Sequence, residues 1–366
     1  MQSNQAGGKV DKTELLLQEL TDAHGVPGHE DEVARIMAER LKGVADIEHD
    51  RLGSFIAKKA GTSSKPKVMI AGHMDEVGFI VREITKEGFI KFLPLGGWWG
   101  HVVLAQRVII KTSKGDVPGI IGSKPPHLLT EEERKKVLDI KDLYIDVGAQ
   151  KGVNITKRLG IRPGDSIVPD SKFSVMGNKN LYLAKAWDNR IGCAVVIDVL
   201  QRLSKIKHPN TVYGVGTVQE EVGLRGAKTA ATYVDPDVGF AVDVSIAMDT
   251  PGEAAEHPEK LGSGPSIAVY DGSLVPNRRL RDLVIDTAEK RKIPYHFTAL
   301  ARGGTDAGRI HLNRIGVPAL YLGVPTRYIH GHVGILHRKD YDNLVKLLVE
   351  VIRALDQKTV NSLTNR

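Results

Sequence analysis

Apolar residues along this chain keep two rhythms, and the rhythm changes twice. Between residues 11 and 44 they recur every three or four positions, as Leu15, Leu16 and Leu20 and then as Val33, Ile36, Met37 and Leu41. That spacing marks one helix face, so two helices are predicted, separated by GVPGHE at 25–30. Asp11 with Glu14 reads as a capping-box start for the first, and Gly43 closes the second. Residues 51–59 read as a strand, and KVMIA at 67–71 as a compact apolar run suited to a buried parallel strand.

From about Gly78 the rhythm shortens to alternation broken by tight turns. FIVREIT, KEG and FIKFLPL follow one another, then RVIIKTS, KGD and VPGIIGS, which are hairpin signals. One helix interrupts them, starting at Thr130 with Glu133 three residues on. After Asp188 the longer rhythm returns: helices are predicted over 191–203, 279–291 and 341–355, and strands over 211–218, 239–242 and 319–322. Alternating helices and strands imply an α/β fold with a mainly parallel sheet flanked by helices. The expected organisation is a catalytic domain, 1–79 and 182–366, interrupted by an inserted β-rich domain, 80–181.

The 366 residues suffice for a sizeable core, and 41% hydrophobic with 26% charged residues is ordinary globular composition. No apolar run approaches the ~20 residues that cross a bilayer, so no membrane partner is expected. The net charge is +7, but Lys and Arg are interspersed with acids and only 5% of residues are aromatic, which argues against nucleic acid. The first residues lack a basic and apolar leader, and the single Cys193 has no internal disulfide partner; both point to a cytoplasmic setting. Cys193 itself reads as buried packing.

In open parallel sheets ligands bind beyond the carboxyl ends of the strands. The residues there share one character. His73 and Asp75 follow KVMIAG, Asp188 follows YLAKA, Glu220 and Glu221 follow the 211–218 strand, Asp243 follows GFAV, and His330 follows ALYLGVPTRYI. Singly, each has a plain structural reading: an interior histidine, a helix cap, a solvated acidic pair. Jointly they form a ligand set of imidazoles and carboxylates without thiolate, which suits Zn²⁺ or Co²⁺, with Mn²⁺ as a third candidate. Two His and three carboxylates can hold a pair of ions if one carboxylate bridges, and Asp188 is the natural bridge. Asp75, two residues from His73, can fix its tautomer. Glu220 and Glu221 point different ways, so one can ligate while the other serves as general base.

The segments AGHMDEVGFIV, LAKAWDNRIGC, GTVQEEVGLRGA, AVDV, RGGTDAG and TRYIH resemble, in that order, the dinuclear metallo-aminopeptidases of the tetrahedral-assembly family. The likeness extends from about residue 12 to the end and is nearest to the bacterial aminopeptidase/glucanase homologues and the glutamyl and deblocking aminopeptidases. It implies that His73, Asp188 and Asp243 bind one divalent ion, that Asp188, Glu221 and His330 bind the other, that Glu220 is the base, and that Asp75 supports it. It also implies an inserted dimerisation domain and a homododecamer, built from dimers, that admits peptide substrates. Gly303, Gly304 and Asp306 in RGGTDAG are candidate substrate-binding residues, since glycine permits close backbone approach.

Other functions remain open at this stage. The same metal core would serve a dinuclear deacylase or a carboxypeptidase. An endoglucanase is disfavoured, because adjacent carboxylates cannot flank a glycosidic bond from opposite sides. A scaffold without catalysis is the remaining alternative, and the preferred first residue of a peptide substrate is not legible.

Overall fold

The computed structural model describes residues 11–149, 152–252 and 257–364; the N-terminal residues 1–10, on which the absence of a leader was read, lie outside them. Helices α1 (Lys12–Asp22) and α2 (Asp31–Leu41) stand where the helical spacing puts them. Asp11 caps α1 by accepting from the amides of Thr13 and Glu14. The Glu14 carboxylate does not complete a capping box but accepts from the Tyr182 hydroxyl. The strand expected over 51–59 is shorter and has a partner: β1 (Asp46–His49) and β2 (Phe55–Lys59) form a hairpin. Asp50 makes the turn, accepting from the amides of Leu52, Gly53 and Ser54. Strand β3 (Lys67–His73) is buried from Val68 onward.

The alternating segment closes on itself. Strands β4 (Gly78–Ile84), β5 (Ile90–Leu95), β6 (Arg107–Thr112), β7 (Gly115–Gly122), β8 (Tyr144–Asp146) and β9 (Ser166–Pro169) make an antiparallel barrel. Closure leaves no free strand edge. Its interior is filled by alternate residues of each strand, among them Phe79, Val81, Phe92, Val108, Ile110 and Ile145. Two short helices lie in its connections, α3 (Glu131–Lys135), opened by a full Thr130–Glu133 capping box, and α4 (Ile155–Leu159). Strands β10 (Ser174–Val175) and β11 (Leu181–Ala184) already pair within the other sheet. Part of the segment expected in the inserted domain, from Ser174 on, thus shares the sheet of the remainder.

The remainder alternates as expected, with α5 (Trp187–Leu203), β12 (Thr211–Thr217), α6 (Arg225–Val234) and β13 (Val238–Ile246). There follow β14 (Ser266–Asp271), α7 (Arg278–Arg291), β15 (His296–Leu300), α8 (Ala307–Ile310), β16 (Ala319–Arg327), β17 (Gly334–His337), α9 (Arg338–Ala354) and α10 (Gln357–Thr364). The sheet order is β1-β2-β12-β3-β13-β16-β17-β11-β10, with β14 on β16 and β15 on β14. Its four central strands, β12, β3, β13 and β16, are parallel, and the flanks are largely antiparallel.

Strand alternation supplies both faces of this sheet. Val68 and Ile70 of β3 join Leu17, Met37, Ile191 and Leu344 on one side, whereas Met69 and Ala71 join Ala231, Ile310 and Tyr321 on the other. Burying each large apolar side chain stabilises by roughly 1.5–3 kcal/mol, so helix layers hold both faces. The register aligns the carboxyl ends: His73 lies opposite Thr217, and Ala71 opposite Ala241, which sets Asp243 level with His73. Among the described residues no helix is long and apolar enough to cross a membrane.

Candidate active site

Helix α5 reaches the end of β3 because both elements have glycine at the crossing. A Cβ on Gly72 would stand 2.5–2.9 Å from the backbone of Gly192 and Cys193, so any other residue there would push the helix away. That close approach brings Asp188 beside His73. His73 Nε2 lies 3.0 Å from Asp188 Oδ1 and 3.8 Å from both Asp243 Oδ2 and Glu220 Oε2. The other oxygen of Asp188 faces the second histidine, with His330 Nε2 at 3.3 Å, and that ring is 3.5 Å from Glu221 Oε2. The structure thus gathers His73, Asp188, Glu220, Glu221, Asp243 and His330 into one cluster.

Both rings are held by their far nitrogens. His73 Nδ1 is 3.0 Å from the Asp75 backbone carbonyl, and His330 Nδ1 is 2.7 Å from the carbonyl of Gly97. Each carbonyl can only accept, so each Nδ1 carries a proton and each Nε2 faces the cluster, where it can offer a lone pair once a cation displaces its own proton. The Asp75 backbone carbonyl therefore orients His73, and the carboxylate expected to do so also bears on the ring. That carboxylate, fully buried and 3.6 Å from the ring, accepts from the amides of Glu220 and Glu221 at 3.0 Å each. It positions the paired glutamates. Asp243 also differs from expectation in lying within β13 and not beyond it.

The donor set fits divalent cations. Three overlapping triples have ligand atoms within 4.8 Å of one another: His73, Asp188 and Asp243; Asp188, Glu221 and His330; and His73, Glu220 and Glu221. The Oε1 atom of Glu221 is buried without a hydrogen-bond partner among the described residues. Protein atoms alone leave the acids crowded: burial, joined by neighbouring carboxylates, lifts Glu220 and Asp243 well above the usual range and Glu221 to about 8. Burial depresses the imidazoles, but the acids outweigh it and raise both, His330 to about 10. Asp188 is held low by its two histidines despite its burial. Cations relieve this crowding, and oxygen and imidazole nitrogen are their ligands. Cys193 takes no part, its thiol lying 3.2 Å from the His73 carbonyl.

A cavity of about 680 Å³ opens on the cluster, within the range of small-molecule sites. Gly303, at φ +98°, and Gly304 line it. Asp306 does not: it is 2% exposed and accepts from the Thr217 hydroxyl, bracing the end of β12.

The residues that sequence reasoning passed over lie just beneath. Glu76 Oε1 accepts from Lys185 Nζ at 2.5 Å and from Arg190 Nη2 at 3.0 Å, and all three side chains are buried. Arg190 also donates to the carbonyls of Leu20, Ala23, Gly25 and Met74, tying the α1–α2 connection to the loop that carries Asp75. Their signal was proximity, since Glu76 lies in HMDEVG and the two cations flank Asp188.

Oxygen and imidazole ligands converging at the carboxyl edge of a parallel sheet, beside a cavity, define a metal-dependent hydrolase of the α/β class. The chain belongs to the M42 glutamyl aminopeptidase family, whose model matches residues 53–347, and it is accordingly a metallo-aminopeptidase. It is 40% identical to the putative aminopeptidase FrvX of Escherichia coli, over 95% of this chain and 97% of that one. It is 35% identical to the glutamyl aminopeptidase of Lactococcus lactis (94% and 97% covered) and 34% identical to the lysyl aminopeptidase of Pyrococcus furiosus (93% and 98%). Among solved structures, the TET aminopeptidase of Thaumarchaeota archaeon SCGC AB-539-E09 superposes with a TM-score of 0.93 at 46% identity, covering 97% of this chain and 99% of that one. The Pyrococcus horikoshii TET1 peptidase, which can assemble into a tetrahedron or a large octahedral shell, gives 0.83 at 32% (94% and 100%).

Proposed function

We propose that the enzyme removes N-terminal residues from peptides and that two divalent ions, Zn²⁺ or Co²⁺ before Mn²⁺, would be held at this site with Asp188 common to both ligand sets. The observation that carries this reading is the splitting of Asp188, one oxygen toward His73 and the other toward His330. His73 and Asp243 complete one ligand set, and Glu221 and His330 the other. Ions bound there would polarise the scissile carbonyl and lower the pKa of the attacking water. Glu220 is then free of ligand duty, lines the cavity, and takes the proton from that water to the leaving amine. Asp75 holds both glutamates in place through their amides. The backbone at Gly303 and Gly304 approaches the peptide.

The barrel exposes Leu93, Trp99, Ile120 and Leu128, apolar surface suited to pairing with a second copy. We assign it to dimerisation within a homododecamer, a reading supported by the assembling relatives. The buried, unpaired Cys193 suits a cytoplasmic setting. Relatives named for glutamyl and for lysyl substrates match equally well, so similarity does not select the first residue.

The test is Glu220→Gln. With metal content unchanged by elemental analysis, kcat on an aminoacyl p-nitroanilide should fall about 10²–10⁴-fold. A wild-type rate in the metal-loaded variant would remove Glu220 from the chemistry.

A further inference from the structure

The cavity wall has two characters. Ile246, Met248, Leu300 and Ile329 line it with apolar surface. Three polar residues line it as well, Ser245, Glu259 and Thr298. Glu259 is 6% exposed and Ser245 4%, yet Glu259 Oε1 and Ser245 Oγ have no hydrogen-bond partner among the described residues. The neighbours that act on the Glu259 carboxyl are the Thr298 side chain and His257. Arg302, which also lines the cavity, is exposed at its mouth. Glu259 lines the same cavity as Asp243, Asp188 and His73.

A carboxylate oxygen taken out of water without a partner is costly unless a ligand supplies one. We propose that this wall receives the side chain of the substrate's first residue and selects a primary ammonium, making N-terminal lysine the preferred residue; this rests on the aminopeptidase reading above. The ammonium brings three donors, and Glu259 Oε1 and Ser245 Oγ are two waiting acceptors. The four-carbon stem of lysine packs along the apolar sides while its charged end reaches the polar ones. A glutamyl residue would bring a second carboxylate against Glu259. A norleucyl residue would match the stem and leave both acceptors unpaired.

The experiment compares L-lysyl, L-norleucyl and L-glutamyl p-nitroanilides with the metal-loaded, assembled enzyme. The expected result is kcat/KM at least tenfold higher for lysyl than for norleucyl, glutamyl lowest, and a lysyl-to-norleucyl ratio within threefold of one in Glu259→Gln. A second readout needs no variant: free L-lysine should inhibit the wild type at least tenfold more tightly than L-norleucine. A wild-type ratio at or below one, a ratio that survives Glu259→Gln, or equal inhibition by the two amino acids overturns the assignment while norleucyl hydrolysis leaves the aminopeptidase reading intact. Failure of the metal-loaded wild type on all three substrates overturns that reading as well.

Discussion

Replacing Glu76 by Gln removes one negative charge and strands two positive ones. At an effective dielectric constant of about 20, charges 2.5 and 3.0 Å apart attract by roughly 7 and 6 kcal/mol, most of it offsetting the desolvation of three buried ions. Breaking such a pair from one side costs about 3–5 kcal/mol, because an uncompensated charge stays buried. Here the chain has an escape. Lys185, already lowered to about 8 by burial against the pull of Glu76, can shed its proton once Glu76 is neutral, whereas Arg190 cannot. At pH 8 the loss should therefore lie near 3 kcal/mol. Below pH 8 the folded wild type keeps a proton on Lys185 that the folded variant releases, so acid favours the wild type. The gap should widen by up to about 1.4 kcal/mol per pH unit until the variant lysine is also charged. Urea unfolding of the metal-loaded proteins, followed by the fluorescence of buried Trp187, measures this at pH 8 and 6.5. A loss under about 1 kcal/mol at both values, or one that shrinks toward acid, would refute the account.

Two further outcomes are expected. Asp75→Asn keeps the shape but exchanges one acceptor oxygen for an NH₂ group facing a backbone amide, so kcat/KM should fall roughly 10–150-fold, matching about 1.5–3 kcal/mol for a buried charge-assisted bond; a change below threefold would deny Asp75 its positioning role. His330→Ala removes a ligand from the set that Asp188 shares, so elemental analysis after dialysis should find about one divalent ion per chain in place of two; two tightly held ions would contradict the ligand partition.

The His and carboxylate cluster was legible because its members share one physical situation. The apolar runs that make the central strands are buried almost throughout, and a His or carboxylate that follows has no surface reason to be there. The α/β alternation was legible for the same reason, since fully buried strands and amphipathic helices differ in period. Barrel closure was not: hairpin signals report neighbours in sequence, whereas the β4–β9 and β6–β9 pairings join segments far apart. Strands β14 and β15 escaped because β14 is partly exposed and β15 sits at an edge, which dilutes their alternation. Lys185 and Arg190 carry no signal of their own in the sequence, since exposure is the ordinary fate of those residues, and only the fold shows Glu76 between them. For Asp75, spacing says that it is close to His73, but not whether its backbone carbonyl or its carboxylate holds the ring.

The bond between His330 and the Gly97 carbonyl spans 233 residues. One partner lies in the connection after β5 of the barrel, the other beyond β16. A ribosome must thus have released the chain through residue 330 before that histidine, the last of the proposed ligands, can be seated and oriented. A growing chain, with its unfolded neighbours close at hand, carries Glu220 and the other proposed ligands but no finished peptidase. Catalytic competence arrives with the completed fold, and a chain cut short anywhere before residue 330 should be inert.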